Sequence, residues 1–162
     1  MGNEELAARI AQKLAQYGEA QLTLAAAEKM AQAARNKAEE LSVPITVAVV
    51  DAGANLILQQ KMDGAILISI ETAYRKAYTA AVLQLPTASL KEQTLPSGEL
   101  YGLHTLSGGK YCVFGGGLPV FQNGRLLGAV GISGGSVQQD VAIAAAAVKV
   151  LEETGTLQGV RG

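Results

Sequence analysis

Asn123-Gly124 stands between two strand-like apolar runs, Leu118 to Gln122 and Arg125 to Ser133. Asn-Gly is the pair that a two-residue type I′ turn requires, because both central residues need positive φ. A hairpin of antiparallel strands is therefore predicted here. The turn sets Gln122 opposite Arg125, Phe121 opposite Leu126, and Pro119 opposite Gly128. That register puts Phe121, Leu126, Val130 and Ile132 on one face, and Val120, Leu127, Ala129 and Gly131 on the other. Both faces are apolar, so both are expected to be covered.

The flanking segments supply the covers. Glu4 to Gln16 reads as a short helix with Leu6, Ile10 and Leu14 on one face, broken at Tyr17-Gly18. Thr23 can cap a second helix reaching about Leu41, with Ala26, Met30, Ala33, Ala34 and Ala38 inward. Ile45 to Val50 and Leu56 to Met62 form another hairpin around the turn residues Asp51 to Asn55. A helix from about Leu67 to Leu83 follows, with Ile70, Ala73, Ala77, Ala80 and Ala81 inward, and Pro86 stops it. Residues 87 to 110 read as a long loop with a short helix near Ala88 to Gln93, and Tyr111 to Phe114 as a fifth strand. Ser136 and Gln139 form a capping box that opens a last helix to about Glu153. Its inward stripe is Val137, Val141, Ala144, Ala145, Val148 and Leu151, with Gly155 as its C-cap. The expected class is α+β, helices packed on one antiparallel sheet, in a single domain over residues 1–162.

Composition excludes several classes. A net charge of −1 leaves no basic footprint for nucleic acid. No apolar run approaches the roughly 20 residues of a membrane helix. The acidic start Met1 to Glu5 lacks the basic opening of a secretory signal, so a cytoplasmic location is expected. Cys112 is the one cysteine, which excludes an internal disulfide, and one His with one Cys cannot build a structural zinc site. Only 17% of residues are charged, against about 25% in ordinary domains. So neutral a surface points to a homo-oligomer that covers its apolar patches.

Three segments read together carry a family resemblance. They are Val47 to Ala54 running on to Lys61-Met62-Asp63-Gly64-Ala65; Lys76 to Ala81; and Gly116 to Val120 leading to Gly128 to Gly135 and Asp140. In this order and spacing the chain resembles the GlcG/HbpS family of haem-binding proteins, which includes the C-terminal domain of PduO-type proteins. The resemblance covers nearly the whole chain after about residue 20. It implies a profilin-like fold, a five-stranded antiparallel sheet flanked by helices, and a higher-order homo-oligomer. It also implies binding of haem or another small ligand, in a protein of glycolate, glycerol or diol catabolism, with a cofactor chaperone or sensor among the roles. Some haem-binding relatives ligate iron through a histidine in the N-terminal helical region, where this chain has none.

Candidate residues divide by chemistry. Haem needs an apolar slot, an axial ligand and donors for its propionates. His104 is the one histidine; Met62, Tyr111 and Cys112 can also ligate, but are more simply core or sheet residues. Lys76 and Thr79 lie on one side of their helix, and Lys76 can hold an anionic ligand. Arg75 and Glu71 read as a surface pair. Gly115-Gly116-Gly117 and Gly134-Gly135 bring bare backbone close to whatever lies beside them. Gly134, Gly135 and Ser136 also lead into a helix start, a seat for a carboxylate or phosphate as well as a plain capped turn. Asp51, Asp140 and Lys76 are the catalytic candidates if the chain is an enzyme acting on a small carboxylate or hydroxy compound. A structural oligomer packing around pathway enzymes is the third reading.

Overall fold

The computed structural model describes residues 2–19 and 21–154. Its helices are α1 (Asn3–Glu19), α2 (Leu24–Glu40), α3 (Ser69–Leu83) and α4 (Val137–Glu153). Its strands are β1 (Thr46–Asp51), β2 (Leu56–Lys61), β3 (Gly117–Gln122) and β4 (Arg125–Ser133). They pair antiparallel in the order β2-β1-β4-β3, so the two hairpins meet along β1 and β4. Alpha+beta with a helix-flanked antiparallel sheet is the observed class.

Each side of the sheet has its own cover. Val47, Val49, Val130 and Ile132 pack against the alanine face of α2 and against Ile143, Ala147 and Leu151 of α4. On the other side Ala48, Val50 and Ala129 meet Ala73, Ala77, Ala80 and Ala81 of α3. Small residues on both partners bring α3 against the sheet backbone. A Cβ on Gly131 would lie 1.9 Å from the Ala73 carbonyl oxygen, and one on Gly117 would lie 2.4 Å from that of Lys76. Gly117 and Gly131 are cross-strand partners, so together they form a groove that admits the helix.

The local signals largely hold. Thr23 caps α2 through the Ala26 N–H at 3.1 Å, and Ser136 and Gln139 make the reciprocal capping box of α4. Several expectations need correction. The sheet has four strands among the described residues, not five: Tyr111 to Phe114 is irregular, and the Cys112 N–H is taken by the Thr79 hydroxyl at 2.8 Å instead of a strand neighbour. Pro119 pairs with Ala129, not Gly128, because a bulge between Val120 and Phe121 in the pairing leaves Leu127 as the extra residue. An extra residue reverses the alternation beyond it, so Leu127 joins the core of Val130 and Ile132 while Leu126 packs on the Ala129 side.

The remaining corrections concern helices. α1 continues through Tyr17 and Gly18 to Glu19; a helical glycine costs only about 1 kcal/mol against alanine and does not compel a break. Leu6 and Ile10 are exposed, and the Leu14 side chain lies outside the described residues. The inward stripe of α4 is Asp140, Ile143, Ala144, Ala147 and Leu151, with Val137, Val141 and Ala145 exposed; in α3, Ile70 is likewise exposed. Burying Asp140 turns the α4 stripe relative to the one that apolar residues alone suggest. The Ala88 to Gln93 region forms two short 3-10 turns, Thr87–Leu90 and Glu92–Thr94. The Gly155 cap lies outside the described residues.

Candidate functional site

Lys76 projects from the sheet-facing side of α3, a position its neighbours fill with alanine. A lone ammonium there would be severely penalised. It is met by Asp140 in the first turn of α4, with Lys76 Nζ to Asp140 Oδ2 at 2.8 Å and the two side chains 1% and 4% exposed. Nζ also donates to the Ile132 carbonyl at 2.8 Å. Asp140 Oδ1 accepts the Gly135 N–H at 3.0 Å, so both carboxylate oxygens are engaged. Burial pushes the Asp140 carboxyl above the usual range, while the Lys76 hydrogen bond and charge and the Gly135 N–H pull it back. The pair ties α3, the end of β4 and the start of α4 together.

Glycine makes the room. A Cβ on Gly116 would lie 2.8 Å from Lys76 Nζ and 3.0 Å from the Asp140 Cβ, and Gly116 has φ of 122°. Gly117 donates its N–H to the Thr87 hydroxyl at 2.9 Å. Gly134 is pressed against the Pro44 carbonyl, where a Cβ would come within 2.5 Å. Thr79 accepts the Cys112 N–H and donates to the Arg75 carbonyl at 2.7 Å. Lys76, Asp140 and Gly116 are thus buried together with the half-buried Gly135 at their edge, and Thr79, Gly117, Gly134 and Ser136 lie around them. Ser136 caps α4 through the Gln139 N–H at 3.2 Å. Asp51 stands apart at the far end of β1, where its carboxylate accepts the Gly53 and Asn55 N–H groups at 2.8 and 2.9 Å and shapes the first hairpin turn.

His104 lies elsewhere, on a 3-10 segment that borders an open cleft of about 400 Å³. Ile68, Tyr111, Val113 and Phe114 form its apolar lining, with Arg75 and Cys112 beside them. Arg75 is held by Glu71 and by the Gly109 carbonyl, so their surface pairing also ties α3 to the loop before Tyr111. Burial raises the Cys112 thiol above its ordinary value, against the Phe114 backbone hydrogen bond and the nearby Lys76 and Arg75 charges. Phe114 joins the two places: its ring walls the cleft, and its centroid is 5.1 Å from Lys76 Nζ. Sequence reasoning missed Phe114 and Ile68. A readable signal existed in the consecutive apolar residues Ile66-Leu67-Ile68 ahead of α3, which stay exposed.

Residues 22–149 match the family described as haem degrading protein HbpS-like. The chain belongs to the HbpS-like family. A 15.0 kDa protein from the dhaT–dhaS intergenic region of Citrobacter freundii is 46% identical to this HbpS-like chain over 134 residues, 83% of the chain and 94% of that protein. The corrinoid adenosyltransferase PduO of the same organism is 41% identical over 123 residues, 76% of this chain but 37% of PduO. Among solved structures, a PduOC:heme complex is similar at a TM-score of 0.78 and 38% identity, covering 80% of this chain and 94% of the other. The resemblance drawn from Lys76 to Ala81 and from the glycine-rich hairpin is thus the family shown. No described helix is long and apolar enough to cross a membrane.

Proposed function

We propose that this HbpS-like chain binds haem in the cleft beside Phe114 and serves small-molecule catabolism of the glycerol or diol kind. The observation that carries the reading is the likeness to a PduOC:heme complex along four-fifths of the chain. The residues present fit such a group: a planar apolar macrocycle suits walls made by Ile68, Tyr111, Val113 and Phe114, and the His104 imidazole borders them. Bound haem would supply redox and ligand-binding chemistry at its iron. The chain's part is to exclude water with the apolar walls, offer the His104 nitrogen, and place the Arg75 guanidinium near an acidic substituent. Lys76, Asp140 and the glycines around them hold the wall in place from behind.

Haemin titration of the pure protein tests this. A saturable Soret shift at one haem per chain is expected, weaker and displaced in His104→Ala. A spectrum that is merely additive at stoichiometric haem would overturn the reading.

Association of several copies belongs to the same proposal. Leu67 is 81% exposed between the exposed Ile66 and Ile68, and Tyr101 and Leu106 are exposed as well, apolar surface that association of copies would cover. Light scattering is expected to give a multiple of the monomer mass at micromolar concentration; a monomer-sized species would count against it.

A further inference from the structure

A lysine ammonium has three N–H groups, and Lys76 spends two on hydrogen bonds. Asp140 Oδ2 and the Ile132 carbonyl oxygen each lie 2.8 Å from Nζ. The Phe114 ring, its centroid 5.1 Å from Nζ, also packs on the ammonium, beside the Gly116 backbone. Phe114 is 45% exposed, belongs to an irregular segment, and lines the cleft. Lifting one partly exposed side chain would therefore open the ammonium to whatever occupies the cleft. A cation–π contact at a part-exposed site is weaker than a charge-assisted hydrogen bond, so an oxygen acceptor that reaches Nζ displaces the ring. Gly116 keeps the space beside Nζ free of a side chain.

Charge selects the acceptor. Asp140 already neutralises Lys76, and its other oxygen is held by the Gly135 N–H. A second carboxylate would set two anions against one buried cation, with desolvation that nothing repays. The charged groups around the pair do not change this, since Arg75 is itself balanced by Glu71. A hydroxyl or carbonyl oxygen adds a hydrogen bond without adding charge.

We infer that Lys76 is a binding group of the cleft with Phe114 as its lid, and that it takes an uncharged hydroxyl or carbonyl oxygen of a small organic ligand. This rests on the cleft being a ligand site, but not on the ligand being haem.

The test is NMR of the whole chain, following the Lys76 ε-methylene signal, which the Phe114 ring shifts. Butanone, butan-2-ol and butanoate are titrated into wild type and Phe114→Ala, with Phe114→Leu as the second variant should the alanine form not fold. The two uncharged probes are expected to move the signal saturably, with affinity higher by up to about tenfold in Phe114→Ala, where no ring need be lifted. Butanoate is expected to leave it in place. A signal unmoved by all three probes in both proteins, or moved most by butanoate, overturns the inference. Haemin binding with an unmoved Lys76 signal would leave the haem reading standing and remove this one. A moved signal without any Soret shift would do the reverse.

Discussion

The cluster around Lys76 and the cleft around His104 share the Phe114 ring and little else. In the first, the ammonium and both carboxylate oxygens have partners inside the protein, and the charges are almost wholly removed from water. In the second, apolar side chains stay exposed around an open space, and the histidine stands at the rim. The contrast separates two uses of unusual residues. A buried ion pair is an arrangement that must be complete to be tolerable, since either charge alone would be unpaired. An open apolar cleft carries no such demand for internal completeness, because solvent reaches its walls.

Removing one charge should separate the regions most sharply. Lys76→Met strands Asp140 and is expected to cost about 3–5 kcal/mol in urea unfolding, with much of it recovered in the Lys76→Met/Asp140→Leu double variant. If the single and double variants were equally unstable, the cluster would owe its stability to packing instead of to charge pairing.

A smaller effect comes from pH. Burial raises the folded Asp140 pKa above its unfolded value, so the folded chain holds a proton where the unfolded chain has lost one. The contribution of Asp140 to stability is then full below the ordinary carboxylate range and is lost as pH rises through the raised value. Urea midpoints measured upward from that range should show this falling component in wild type and lack it in Asp140→Asn. An unchanged slope in the variant would place the titration elsewhere.

The smallest effect belongs to the cleft. His104→Ala is expected to shift stability by no more than about 0.5 kcal/mol, as an exposed substitution that leaves nothing buried unpaired. A larger loss would make His104 a structural residue and blur the distinction between the two regions.

How much was legible followed from sequence separation. Thr23 caps through a residue three positions on, Ser136 likewise with Gln139, and Asn123-Gly124 turns its own hairpin. Each of these is settled by neighbours within a few residues. The glycines were recognisable as sites of close approach, but what approaches Gly117 and Gly131 proved to be the α3 backbone. Lys76 and Asp140 were singled out separately; their pairing, 64 residues apart, was not readable. The fifth strand was not readable as absent either, because the Thr79 hydroxyl that takes the Cys112 N–H is 33 residues away.

Residue order therefore sufficed for the two hairpins, the caps, the alanine-faced helices and the α+β class, all of which rest on local backbone chemistry and hydrophobic period. Tertiary packing alone decided the bulge that sends Leu127 and Leu126 to opposite faces, the burial of Lys76 with Asp140, and the placing of His104 beside an apolar cleft. The reason is physical: a turn or a cap is completed by adjacent residues, whereas the cost of a charge depends on how much water the distant parts of the chain exclude.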